Sequence, residues 1–374
     1  MTHPKKILML SVSAGAGHMR AADAICAHAA ASRAEVEATH LDAMDFVTPA
    51  FRKLYTDFYI KLVDKAPTLW GYLYHQTHAA QPDSTMERLR RKVERMNAGA
   101  LLRKIEALKP DAIVCTHFLP AEMLARLIKR GELHCPVWVQ VTDFDLHRLW
   151  VHKGMAGYFV ANDEVAYRLK AQGIAPANIH VTGIPIMPAF TQALDRRTCA
   201  AEFGLSPDLP TFMLMGGGAG MGRLASVAER LLALPGDFQL VVLAGKNAQA
   251  LADLQALAER FPGRVFPQGF THQVERLMAC ADLIVTKPGG LTTSECMAMG
   301  LPMVVNAPIP GQEERNADYL LEQGVALKAM DAVTLEYRIQ WLLAQPDKLA
   351  AMRERSRATG RGNAGPALLD VVLA

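Results

Sequence analysis

A chain of 374 residues with 51% apolar and 21% charged residues has room for two to three domains and the balance of a soluble globular protein. Those figures exclude collagen-like, coiled-coil and disordered chains. The formal net charge of +3 is too small to argue for nucleic acid, yet it is unevenly placed: residues 1–189 hold 23 Lys and Arg against 18 Asp and Glu, and residues 190–374 hold 17 against 19.

Short β-branched runs alternate with helical patterns along the whole chain. Lys6–Val12 reads as a strand and runs into a glycine loop, Ser13-Ala-Gly-Ala-Gly17-His18. Phe51–Tyr74 mixes aromatic residues, among them Trp70 and Tyr74, with Arg52, Lys53, Lys61 and Lys65. Glu87–Lys104 carries seven Lys or Arg against two Glu. At about 100° per residue, Leu89, Val93, Met96 and Ala100 form an apolar stripe beside a basic one of Arg88, Arg91, Lys92 and Arg95. This is the pattern of a helix lying on an anionic membrane surface, and also of an ordinary amphipathic surface helix. Further strands are expected at Asp111–Cys115, Val137–Thr142, Tyr158–Ala161 and His180–Thr182. Residues 186–208, with Pro188 and Pro210 near either end, read as a junction. Strand, glycine loop and helix then start again with Thr211–Met215 and Gly216-Gly-Gly-Ala-Gly-Met-Gly222, followed by strands at Gln239–Ala244, Asp282–Thr286 and Pro302–Val305.

Continuous apolar strands separated by helices indicate α/β architecture with parallel sheets covered on both faces, here in two doubly wound domains. Ligands of such sheets sit beyond the carboxyl ends of the strands, where both glycine loops fall. Six scattered cysteines form no CxxC pair and fit a reducing cytoplasm. The apolar run Ile7–Val12 is too short for a signal-peptide core, and no stretch approaches the roughly 20 apolar residues of a membrane span. Contact with a membrane is therefore expected to be peripheral.

The loops suit a diphosphate, because glycine lets the backbone approach and the helix behind offers free N–H groups. Neither is a GxGxxG fingerprint, since Arg20 and Arg223 stand in the way, and no GxxxxGK[ST] occurs. A glycine turn needed only for packing has the same appearance. More specific is Thr286-Lys-Pro-Gly-Gly-Leu-Thr-Thr-Ser-Glu295, where a Pro-Gly-Gly turn bares amides and Glu295 is expected in the first turn of a helix, placed to accept ribose hydroxyls. The alternative is that Thr292 or Thr293 caps that helix and Glu295 complements its dipole. Pro308-Ile-Pro-Gly-Gln312-Glu313-Glu-Arg-Asn316 clusters polar side chains suited to sugar hydroxyls. Asp143-Phe-Asp145 matches the three-residue DxD metal string, but short strings recur by chance and strand-end carboxylates would point to opposite faces.

Taken together, Ser13–His18, Lys65–Tyr74, Val141–His147 with Trp150, Tyr158–Val165, Val181–Ile186, Lys287–Glu295 and Pro310–Asn316 resemble, in order, the family of monogalactosyldiacylglycerol synthases and processive diacylglycerol glucosyltransferases. The second half is more distantly similar to the peptidoglycan lipid-forming N-acetylglucosaminyltransferase. The resemblance implies a GT-B fold: two Rossmann-like doubly wound domains facing a central cleft. It implies an acceptor domain over 1–190, a UDP-sugar domain over 200–350, and a final helical segment, 351–374, crossing back onto the first. One departure is Ser13, where plant members carry an Asp.

The implied reaction moves galactose or glucose from a UDP-sugar to the hydroxyl of diacylglycerol, with inversion, at the inner face of the cell membrane. No metal or other cofactor is expected, and no nucleic acid. His18 is the candidate base, kept neutral by a helix N-terminus, with Asp143 as second candidate or orienter. Gly217, Gly218 and Gly220 are expected at the diphosphate and Phe270 at the uracil. Lys287, Gly289, Gly290 and Thr292 are expected around the nucleotide, Glu295 at the ribose, and Gln312, Glu313 and Asn316 at the donor. Gly15, Gly17, Trp70, Tyr74, Arg88, Arg91, Lys92 and Arg95 are assigned to acceptor and membrane. A UDP-sugar epimerase of the same architecture and a non-catalytic UDP-sugar sensor remain the competing readings.

Overall fold

The computed structural model describes residues 4–13, 15–33, 35–48, 52, 99–216 and 224–374. Trp70, Tyr74, Arg88, Arg91, Lys92 and Arg95 lie outside these residues, as do Gly217, Gly218 and Gly220. The chain divides into two compact units. One comprises Met1–Pro188, Pro310–Gln312 and Arg361–Ala374, the other Ala189–Ile309 and Glu313–Gly360.

The first unit is built on a parallel six-stranded sheet in the order β2-β1-β3-β4-β5-β6. Its strands are β1 (Lys5–Ser11), β2 (Val36–Asp42), β3 (Ala112–Cys115), β4 (Val137–Gln140), β5 (Gly157–Val160) and β6 (Ile179–Val181). The interior strands carry continuous apolar runs, with Lys5, Lys6 and Ser11 at the ends of β1 and Gln140 at the end of β4, and β3 and β5 are buried at every position, because helices cover both faces. Helices α1 (Ala16–Ser32), α2 (Phe118–Lys129) and α3 (Asp163–Ala171) connect them, with a further helical stretch over residues 99–108. The strand order reverses between β1 and β3, which pair with Leu10 opposite Cys115. Beyond that pair lies the first unit's switch point, where such sheets bind ligands.

The second unit repeats the plan in the order β12-β11-β10-β7-β8-β9. It begins with α4 (Arg196–Glu202), followed by β7 (Thr211–Met215), α5 (Leu224–Leu232), β8 (Gln239–Gly245), α6 (Ala248–Arg260), β9 (Val265–Gly269), α7 (Val274–Cys280) and β10 (Leu283–Thr286). Then come α8 (Gly290–Met299), β11 (Met303–Asn306), α9 (Gln312–Glu322), β12 (Ala326–Ala329), α10 (Ala332–Leu343) and α11 (Pro346–Thr359). Order reverses between β7 and β10, where Met215 pairs with Thr286, so Gly216 and Lys287 leave the sheet side by side.

Three strands escape the sequence reading: β2, β9 and β12. All three are sheet edges, where one side lacks a neighbour and the composition is mixed: Val-Glu-Ala-Thr-His-Leu-Asp, a Pro267-bearing run, and Ala-Leu-Lys-Ala. The junction also differs. Residues 196–202 are not linker but α4, capped by Asp195 and fastened by Arg196, whose guanidinium donates to both Asp282 oxygens at 2.9 Å and to the carbonyls of Pro207 and Leu209. The unit boundary accordingly falls between Pro188 and Ala189.

At the far end, the return to the first unit starts at Arg361 rather than at 351. Helix α11 stays with the second unit because Met352 is buried in its core and Arg353 donates to Asp282 at 3.0 Å. Only α12 (Ala364–Leu373) joins the first unit, burying Leu368 and Leu369 fully against Ile7, Met9, Ile25 and Phe159. Gly183, at φ 100°, allows this approach: a Cβ there would stand 2.7 Å from Cβ of Arg361.

Candidate active site

Five of the described α-helices start from a capping side chain. His117, Asn162, Asp195, Asn247 and Asp331 accept from the first turns of α2, α3, α4, α6 and α10. The helices at the two switch points start at a glycine instead. Helix α1 follows Gly15 and α8 follows Gly289, and neither has a side-chain cap. In α8 the first intrahelical bond runs from Thr293 N to Gly289 O, so the amides of Gly290, Leu291 and Thr292 stand before it. Thr292 and Thr293 therefore do not cap the helix, contrary to the alternative reading, and Glu295 falls in its second turn rather than its first.

In the first unit, the residues at the switch point gather around His18. Its Nδ1 lies 3.0 Å from the Thr116 carbonyl and 2.8 Å from the Thr142 hydroxyl. Thr116 also donates its hydroxyl to the His18 carbonyl at 2.9 Å. A carbonyl has no proton to give, so the contact to Thr116 puts the imidazole proton on Nδ1 and leaves a lone pair on Nε2. That edge of the ring faces Gly15, where a Cβ would stand 3.9 Å from Nε2. Burial pushes the His18 pKa down to about 4, with the Thr116 carbonyl opposing the shift. His18 is thus a neutral acceptor at physiological pH. The expected cause was the helix N-terminus; the larger one is desolvation, because Trp150 (centroid 6.2 Å) and His117 (4.5 Å) crowd the ring.

Asp143 follows Thr142 in the bend after β4 and is partly exposed. The Thr142 contact therefore brings the segment that carries Asp143 to His18. Asp145 is also in this bend rather than on a strand, and its carboxylate lies 3.3 Å from Arg168 Nε. Gly15 caps α1 and Gly17 sits in its first turn.

In the second unit, Lys287, Gly289, Gly290 and Thr292 are partly exposed along the β10–α8 connection, while Glu295 is nearly buried on α8. Gln312 and Glu313 open α9. Glu313 accepts from the Ile309 amide at 2.7 Å, and burial raises its pKa while the Ile309 bond and Lys287 pull it down. Asn316 is fully buried and donates its amide to the Pro288 carbonyl at 3.1 Å. It holds the Lys-Pro-Gly-Gly turn against α9. Phe270, just past β9, is 57% exposed, with Lys246 Nζ 4.8 Å over its ring and His272 edge-on at 4.9 Å. Ala307, just before Pro308, has φ 45°, a left-handed conformation uncommon for a side-chain-bearing residue, at the turn that leads to Gln312.

The family model for monogalactosyldiacylglycerol (MGDG) synthase matches residues 18–186, and that for glycosyl transferases group 1 matches residues 220–359. A processive diacylglycerol beta-glucosyltransferase of Bacillus cereus (strain ATCC 10987) is 30% identical over 271 residues, 72% of this chain and 69% of that protein. The chain belongs to this glycosyltransferase family. A relative of the same description from Bacillus subtilis (strain 168) is 26% identical over 376 residues, spanning all of this chain and 96% of that one. The family's two-unit fold is seen in Acinetobacter baumannii MurG (16% identity, TM-score 0.61, 99% of each chain). It is equally seen in UDP-GlcNAc 2-epimerase from Neisseria meningitidis bound to UDP-GlcNAc (14% identity, TM-score 0.61, 99% of each chain). Both likenesses establish the GT-B fold and nothing finer. It is sequence identity along both units that separates this diacylglycerol glycosyltransferase family from the epimerases.

Sequence reasoning passed over Thr116 and His117, which the structure sets against His18. Their signal was a polar pair, Thr116-His117, closing the apolar run Ala112–Cys115 at a strand's carboxyl end.

Proposed function

We propose that this chain transfers glucose from UDP-glucose to the hydroxyl of diacylglycerol, with inversion at the anomeric carbon. The observation that carries the reading is His18, a neutral imidazole whose Nδ1–H is tied to a backbone carbonyl and whose Nε2 is left as acceptor beside the glycine loop. Glucose as the sugar is supported by relatives described as beta-glucosyltransferases. A β product from an α-linked nucleotide sugar requires direct displacement from the opposite face. In that step Nε2 takes the acceptor proton as the hydroxyl oxygen attacks the anomeric carbon and UDP leaves. Asp143, on the Thr142 loop, is the second candidate for that proton or the group that orients the first.

Charge on the departing diphosphate falls to the bare amides of Gly290, Leu291 and Thr292, to Lys287, and to the Gly217, Gly218 and Gly220 amides of the other loop. Glu295 takes the ribose, Phe270 the uracil, and Gln312 and Glu313 the hexose hydroxyls. No metal is required in this scheme, and chelation with EDTA is expected to leave the rate unchanged.

The deciding experiment incubates the protein with UDP-glucose labelled in the sugar and diacylglycerol liposomes, and follows label into the lipid phase. Label is expected there; turnover of UDP-glucose without acceptor would instead identify an epimerase, and binding without turnover a sensor. His18→Ala is expected to cut transfer by about 10²–10⁴-fold while UDP affinity, read by calorimetry, holds. More than a tenth of wild-type transfer in that variant would move the base to Asp143.

A lipid acceptor stays in its bilayer, and no helix among the described residues is long and apolar enough to cross a membrane. In this reading the protein docks peripherally on the cytoplasmic face through Trp70, Tyr74 and the basic stripe of the sequence, each Lys or Arg adding about 1 kcal/mol on an anionic surface. Changing Arg88, Arg91, Lys92 and Arg95 to Glu is expected to abolish sedimentation with phosphatidylglycerol liposomes and to spare UDP binding. Wild-type sedimentation would exclude this stripe.

A further inference from the structure

His117 has no part in the chemistry above, yet it is buried within the same cluster. Its ring meets the His18 ring nearly edge-on, with centroids 4.5 Å apart and planes at 81°. Phe118 lies against its other side at 4.1 Å, and Trp150 stands 6.4 Å from it and 5.9 Å from Phe118, so four rings enclose one another. We propose that His117 is a positioning residue for His18, its ring fixing the imidazole with Nδ1–H on the Thr116 carbonyl and Nε2 turned toward the acceptor side. The proposal rests on the reading of His18 as the base.

Three observations support it. First, His117 cannot turn freely. Its Nδ1 accepts the Leu119 amide at 3.0 Å, capping α2, so rotating the ring would uncap the helix. Second, that bond sets the tautomer: the lone pair is used on Nδ1, and the ring proton is on Nε2. His117 and His18 are thus held in opposite tautomers by two backbone groups of one short segment, the Thr116 carbonyl and the Leu119 amide. Third, His117 stays neutral. Protonating Nδ1 would set two donors face to face at the cap, and burial together with the neighbouring His18 already holds its pKa well below the usual value. When His18 takes up a proton during turnover, the ring beside it is an uncharged wall and not a second cation. A flexible or charged residue at 117 would either let the His18 ring swing or oppose its protonation.

Two substitutions separate this role from a structural one. His117→Asn keeps a side-chain acceptor for the Leu119 amide and loses the ring. His117→Phe keeps the ring and loses the acceptor. If the ring positions His18, the Asn variant loses about tenfold or more in kcat with donor KM unchanged, in the range expected when a reacting group is displaced by a fraction of an ångström. The Phe variant melts lower yet keeps most of its kcat. Nitrogen-15 NMR of the imidazoles is expected to show His18 as the Nδ1–H tautomer in wild type and in His117→Phe, and a mixture of tautomers in His117→Asn. Wild-type kcat and an unchanged His18 signature in His117→Asn would overturn the proposal. So would kcat falling in both variants in step with melting temperature. The NMR readout does not depend on which reaction the protein performs, so failure of His18 as the base, seen as transfer surviving in His18→Ala, is distinguished from failure of His117 as its holder.

Discussion

His18 is half-buried beside Trp150 and His117, and that placement controls both its chemistry and its contribution to stability. A histidine whose pKa is about 4 in the native protein and near 6.5 in the unfolded chain binds fewer protons when folded throughout that interval. Stability therefore falls as pH drops from about 6.5 toward 4, by at most about 3 kcal/mol from this residue. His28, His117 and His180 are lowered as well and act with the same sign. Urea unfolding at pH 7 and pH 5 should show the loss, and His18→Gln should shrink it. The same value places the acid limb of kcat/KM near pH 4; a limb near 6.5 would mean that the ring is more hydrated than its surroundings indicate.

At the scale of elements, α8 shows how a local sequence sets up a site. Its Gly289 start leaves amides bare, and its second turn carries Glu295 with only 8% of its surface exposed. Glu295→Ala is expected to weaken UDP binding by about 1.5–3 kcal/mol, the usual worth of a charge-assisted hydrogen bond, while the melting temperature changes little. Unchanged UDP affinity by calorimetry would remove Glu295 from the donor site. The interior strands and the glycine starts of α1 and α8 were legible in the sequence, because buried parallel strands are continuous apolar runs and glycine marks the turns. The edge strands β2, β9 and β12 were not, since an edge position tolerates Glu, Thr, Lys and Pro that blur the pattern.

Across the whole molecule, each unit carries its own core, yet the first is completed by the last helix of the chain. Leu368 and Leu369 of α12 are fully buried, and each such side chain contributes about 1.5–3 kcal/mol. Truncation after Gly360 is expected to lower the unfolding transition of the first unit and to leave that of the second in place, so that calorimetry resolves two steps. A single transition moving as one would show that the units unfold together.

By itself the sequence determined the class of fold, the two-unit plan, the glycine-led helices and the family, because each of these rests on periodicity or on a contiguous motif. It placed His18, Asp143 and Glu295 as residues of interest without saying what surrounds them. The tertiary structure alone decided that Thr116 and Thr142, about one hundred residues and more from His18, set its tautomer; that Asn316 is buried and bonded to the Lys-Pro-Gly-Gly turn; and that His117 stands against His18. Burial, tautomer and hydrogen-bond partnership depend on groups brought together from distant strands across the sheet, and no local pattern in a chain records which strands become neighbours.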